Sequence, residues 1–205
     1  MTEQEVREDF CRVGRWMYER EFVVDTDGNL SLRLGPERFM FTPTGACLGR
    51  MVPEDMVITD GEGKAVSERQ TQTAEWRLHM KAYRARPDVH AVAHGHCPWV
   101  LAATAAGVSL DRPVLPEVIH HLGTIPTAPY AMPSSRESAE AVVPYVAEHD
   151  AFALDRHGAV TLGSDLADVF GKMERVEQTA RLIMRVEAVG SLRTLPDDEV
   201  QKIRS

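Results

Sequence analysis

A three-layer α/β fold is predicted by three features: helix-periodic and strand-like segments alternate along the chain, turn residues separate them, and a long amphipathic helix closes it. Val6, Phe10, Val13 and Met17 recur at helical spacing, so the chain opens on an amphipathic helix. Asp25-Thr26-Asp27-Gly28-Asn29 is a turn signal, and β-like runs follow at residues 30–34 and 38–42, parted by Gly35-Pro36. Thr42-Pro43-Thr44-Gly45 marks another turn. Residues 73–84 read as a helix with Trp76, Met80 and Tyr83 inward, 89–94 as a strand and 99–106 as a helix. Residues 109–133 hold five prolines and read as irregular. One helix is expected over 136–148, then strand-like pieces at 151–154 and 160–162 on either side of His157-Gly158. From about 165 to 189, Leu166, Val169, Phe170, Met173, Val176, Ala180 and Ile183 form one apolar stripe. No repeat or linker divides the 205 residues, which suit a single domain over 1–205.

The 23 Lys and Arg against 31 Asp and Glu leave a net charge of −8, the reverse of what a general nucleic-acid binder carries. No apolar run approaches a membrane span, and the opening residues are acidic and polar rather than signal-like. Cys11, Cys47 and Cys97 are too few and too scattered for a disulfide framework. A cytoplasmic chain that binds neither nucleic acid nor membrane is expected.

Among the eight histidines, His94-Gly95-His96 ends a strand. Residues two apart on a strand share a face, and Gly95 lets a backbone approach closely. His157 sits in a turn between two other strand-like runs. Three imidazoles with an open fourth position form the catalytic pattern of Zn²⁺ and its neighbours. Taken alone, a His-x-His pair equally fits ordinary polar strand ends.

A wider pattern adds to this reading. Gly28-Asn29-Leu30-Ser31, Thr42-Pro43-Thr44-Gly45, Glu75-Trp76 with His79-Met80, His94-Gly95-His96 and His157-Gly158 occur in that order and at those separations. With them the chain resembles the class II aldolase/adducin-head family over roughly residues 5–190. The resemblance implies a three-layer α/β/α fold with a central, mainly antiparallel sheet. It implies that His94, His96 and His157 hold a divalent metal, zinc or alternatively manganese, and that Glu75 is the catalytic carboxylate. Gly28, Asn29, Thr44, Gly45 and Thr73 match substrate-phosphate loops, where exposed backbone N–H groups and a helix start near Thr73 suit an anion. The family's aldolases have Ser-Ser before the carboxylate, whereas this chain has Thr73-Ala74, which removes one hydroxyl and leaves room for an unphosphorylated or acidic substrate. The stretch 110–119 looks closest to 5-deoxyribulose-1-phosphate and methylthioribulose-1-phosphate aldolases. Within it, Glu117 falls near the place of a second acid/base in related enzymes, and His120 and His121 follow without an assigned role.

The activity implied is a metal-dependent aldolase that splits a deoxypentulose-type ketose 1-phosphate into dihydroxyacetone phosphate and an aldehyde through a metal-stabilised enediolate. Glu75 would move the proton at C3, and Glu117 would serve the C4 hydroxyl. None of the four lysines, Lys64, Lys81, Lys172 and Lys202, lies in a candidate motif, so a Schiff-base route finds no support. The alternatives are a dehydratase using Glu117 as acid, and a decarboxylase, which the incomplete phosphate site favours. A non-enzymatic adducin-like module is disfavoured by the retained histidines and Glu75, and an epimerase would be expected to carry aspartate at Glu75. The family also implies a homotetramer.

Overall fold

In chain order the elements are α1 (Glu3–Glu19), β1 (Asn29–Gly35), β2 (Arg38–Phe41), β3 (Val57–Asp60), α2 (Trp76–Ala85), β4 (Ala91–Gly95), α3 (Pro98–Ala105) and α4 (Pro116–Leu122). Then come β5 (Thr127–Ala128), α5 (Arg136–Ala141), α6 (Val143–Glu148), β6 (Ala151–Leu154), β7 (Gly158–Gly163), α7 (Leu166–Val189) and α8 (Asp197–Arg204). The computed structural model describes residues 2–66 and 70–204, so Met1 and Ser205, the ends of the predicted domain, lie outside the described residues. The strands form one sheet in the order β3-β2-β1-β4-β7-β6-β5. Every neighbouring pair is antiparallel except β5 with β6, which agrees with the mainly antiparallel sheet expected.

Strand alternation divides the core into two layers. One face presents Leu30, Leu32, Met40, Ala91, Ala93, Ala151, Ala153 and Ala159 to α1, α3 and α7. The other presents Phe39, Phe41, Val92, Phe152, Leu154, Val160 and Leu162 to α2 and α6. Alanines at five of the first set let the long α7 lie close on β4, β6 and β7. At the start of α1, Thr2 and Glu5 close a reciprocal capping box. Asp165 caps α7 by accepting from the Asp168 N–H at 2.8 Å.

Four local expectations change. The helix expected over 136–148 breaks at Val142, because Pro144 near the start of α6 lacks an N–H and its ring would clash with the carbonyl four residues back. The stretch read as irregular contains α4 and β5. Pro116 opens α4 at the first-turn position where a missing N–H costs nothing. α2 starts at Trp76 rather than 73, since residues 71–73 pair with 42–44 through Thr44 N–H to Thr71 O and Thr73 N–H to Thr42 O, both 2.9 Å. β3 and α8, absent from the sequence reading, extend the sheet at one edge and pack on α4.

β4 is enclosed by β1 and β7, and two glycines make this closure possible. Gly28 has φ +71°, and a Cβ there would lie 2.8 Å from the His94 carbonyl oxygen. Gly158 has φ +126°, and a Cβ there would collide with the Gly95 carbonyl. Just beyond, the Glu177 carboxylate of α7 accepts from the N–H groups of Trp99 at 3.0 Å and Val100 at 3.1 Å, capping α3 where Cys97 does not. Both ends of the segment carrying His94 and His96 are thereby tied down. Gly158→Ala is expected to lower stability by about 1–3 kcal/mol in urea unfolding from backbone strain alone. A loss within about 0.5 kcal/mol, typical of a surface change, would contradict the close approach.

Candidate metal centre and active site

His94 is fully buried near the end of β4. Its Nδ1–H donates to the Ala159 carbonyl at 3.0 Å, which leaves Nε2 bare and facing the site. His96 turns Nδ1 to Asp27 Oδ2 at 3.2 Å and brings Nε2 to 3.1 Å from His94 Nε2. His157, in the turn between β6 and β7, completes the group. One nitrogen from each ring lies within 4.8 Å of the others. Asp27 and the Ala159 carbonyl orient two of the rings from behind, as partners of metal-binding imidazoles do. Sequence reading saw Asp27 only as a turn residue, and nothing local distinguishes it from Asp25.

Glu75 stands at the N-cap of α2 and joins this group. Its Oε2 lies 3.3 Å from His94 Nε2, and its Oε1 lies 3.5 Å from His157 Nε2. Asn29 Nδ2–H donates to Oε2 at 2.9 Å. Burial works against the carboxylate charge, but His94, His157 and the Asn29 bond outweigh it and hold the pKa down at about 2. The start of α2 favours the same charge. Burial takes His94 down to about 3, and His157 is lowered by the same cause, so these two rings are neutral at neutral pH. Bare imidazole nitrogens and an ionised carboxylate at these separations repel unless positive charge sits among them. Neutral nitrogens with an oxygen beside them are the donors a zinc-like divalent cation takes, so the residues fit such an ion.

The predicted phosphate residues divide. Thr44 and Gly45 line an open cavity of about 380 Å³ together with Arg50, Gln70 and Thr71. Thr73 is buried, and its hydroxyl accepts the Glu75 N–H at 3.3 Å. Gly28 packs against β4, and the Asn29 amide is committed to Glu75 and His79. Within one chain Glu117 is not placed beside Glu75. α4 packs on the α7 side of the sheet while α2 covers the other side, and Glu117 lines a separate cavity of about 700 Å³ with Trp99, Arg175 and Glu177. His120 and His121 are exposed on α4 rather than in a loop. Trp76 packs beside the second core layer, as expected for a core residue.

His94→Ala is expected to abolish stoichiometric metal retention after dialysis. Full zinc occupancy by elemental analysis in that variant would contradict the ligand assignment.

The Class II Aldolase and Adducin N-terminal domain family matches residues 8–184. The 3-oxo-tetronate 4-phosphate decarboxylase of Escherichia coli K12 is 31% identical over 208 residues, covering 100% of this chain and 97% of that protein. The L-fuculose phosphate aldolase of Methanococcus maripaludis is 33% identical over 174 residues, covering 85% and 93%. The crystal structure of YgbL from Klebsiella pneumoniae superposes with a TM-score of 0.92 at 32% identity, each chain covered at 100%. Among the described residues no helix is long and apolar enough to cross a membrane. With the family match extending from α1 to α7 and enclosing the three histidines and Glu75, the chain belongs to the class II aldolase/adducin family.

Proposed function

We propose that the chain is a metal-dependent decarboxylase of a phosphorylated 3-oxo sugar acid, with 3-oxo-tetronate 4-phosphate as substrate. This reading takes the place of the ketose 1-phosphate aldolase expected from the resemblance. Two things support it: decarboxylase relatives align along the full chain, and Glu75 is the carboxylate that faces His94 and His157.

The chemistry fits one carboxylate. In a 3-oxo acid the electrons of the C1–C2 bond move toward the C3 ketone as carbon dioxide leaves, and C2 then takes up one proton. The products are carbon dioxide and dihydroxyacetone phosphate. Aldol cleavage and dehydration each need a further acid or base at the C4 hydroxyl, whereas decarboxylation does not. Glu117 lines a separate cavity within the chain, and the decarboxylation proposed here assigns it no step.

His94, His96 and His157 would hold a divalent ion, zinc in this proposal with manganese as the alternative. Such an ion supplies Lewis acidity to the ketone oxygen. Glu75, ionised at rest, would take a proton from solvent once the substrate is bound and pass it to C2, returning to the carboxylate. The anionic substrate raises the basicity of a carboxylate that rests well below its ordinary pKa. Thr44 and Gly45 are the proposed phosphate contacts, the Arg50 guanidinium in the same cavity suits a phosphate, and buried Thr73 instead holds the Glu75 N–H. Gly28 closes the backbone on β4, and Asn29 holds Glu75. Assembly as a homotetramer belongs to the same proposal.

Zinc-loaded protein given 3-oxo-tetronate 4-phosphate is expected to release carbon dioxide and dihydroxyacetone phosphate in equal amounts. Cleavage of ketose 1-phosphates without carbon dioxide release from the oxo acid would restore the aldolase reading, which the fuculose phosphate aldolase relative also supports. Glu75→Gln is expected to keep its metal and lose roughly 10²–10⁴-fold in turnover, the range for a proton-transfer group. Near-normal turnover would remove Glu75 from the chemistry.

A further inference from the structure

Glu75, His79 and Tyr83 are spaced by four and share one face of α2, while Asn29 and Ser31 are two apart on one face of β1. The two stripes meet in a continuous line of hydrogen bonds. Tyr83 Oη lies 2.7 Å from Ser31 Oγ, and Ser31 Oγ lies 2.6 Å from His79 Nδ1. His79 Nε2 lies 2.6 Å from Asn29 Oδ1, and Asn29 Nδ2 lies 2.9 Å from Glu75 Oε2. Asn29, Ser31, His79 and Tyr83 are all buried.

The direction of this line follows from one end. Asn29 sets Nδ2 against Glu75 and Oδ1 against His79, so its amide N–H donates to the carboxyl group and its carbonyl oxygen accepts from the ring. That oxygen needs a donor, so His79 carries its hydrogen on Nε2. Burial keeps the ring neutral, with a pKa near 4, so Nδ1 is bare and accepts from the Ser31 hydroxyl. Ser31 Oγ in turn accepts from the Tyr83 hydroxyl, whose ionisation burial suppresses. Each group has one arrangement that satisfies its neighbours.

We propose that His79, held as the Nε2–H tautomer, is a positioning residue that fixes the Asn29 amide and, through it, the Glu75 carboxylate against the three imidazoles. The proposal rests on the role given to Glu75 above. Without a donor on its carbonyl oxygen, the Asn29 amide loses what keeps its NH₂ toward Glu75. A flipped amide would set oxygen against oxygen and push the carboxylate out of line.

Two measurements test this on the full-length, zinc-loaded protein. Long-range ¹H–¹⁵N spectra of His79 are expected to show a hydrogen on Nε2 and a bare Nδ1; the opposite tautomer would overturn the proposal whatever the protein's activity. His79→Leu removes the donor, and His79→Gln keeps an amide N–H in its place. With 3-oxo-tetronate 4-phosphate, His79→Leu is expected to lose roughly 100-fold in kcat, as for a misplaced catalytic group, with KM and zinc content unchanged. Its Glu75 ¹³C carboxyl resonance is expected to shift. His79→Gln is expected to regain most of the rate and the native resonance position. Equal losses in both variants, or a Glu75 resonance that stays put in His79→Leu, would reduce His79 to a packing residue. If His79→Leu does not fold, the tautomer and the His79→Gln resonance still decide. An absence of decarboxylation would defeat the functional reading while leaving the tautomer and resonance measurements in force.

Discussion

Bare nitrogens and a carboxylate charge facing one another at 3.1–3.5 Å are what the rest of this fold must hold together. In water these groups would turn away and hydrate separately. His94, His96 and Glu75 cannot, because each is bound from behind: His94 by the Ala159 carbonyl, His96 by Asp27 and Glu75 by Asn29. The arrangement stores a preference for a cation. It is maintained by β4 lying between β1 and β7, with Gly28 and Gly158 allowing both neighbours to close on its end.

The two faces of the sheet divide the labour. Under α7 the core is apolar, and its alanines permit a close, continuous contact with the longest helix. Under α2 the large apolar side chains share space with buried polar groups, including His79, whose ring lies 5.8 Å from that of Phe41. Such a network is tolerable only when every member is paired. The line from Tyr83 to Glu75 meets that condition and directs its last donor at the carboxylate that, among the described residues, faces both His94 and His157.

The family's reactions share a metal-polarised ketone and differ in which further acid or base they bring. A site assembled within one chain around Glu75 alone suits a reaction that needs one proton moved at one carbon. The proposed decarboxylation is such a reaction, and the open cavity holding Thr44, Gly45 and Arg50 is the place proposed for the phosphate of its substrate.

Much of this was legible in local pattern. The stripes at Val6, Phe10, Val13 and Met17, and at Leu166 through Ile183, become the inner faces of α1 and α7. His94 and His96 converge as residues two apart on a strand should, because that periodicity is a property of the extended backbone itself. The sequence by itself therefore determined the layers, most of the elements and the three metal-ligand candidates. Tertiary structure alone decided that Pro116 begins a helix, that α4 and α2 pack on opposite faces of the sheet, and that Asp27 lies against His96 and His79 against Asn29. The reason is physical: periodicity reaches only a few residues along the chain. Which distant backbones lie side by side is settled by strand pairing and by the burial of both sheet faces.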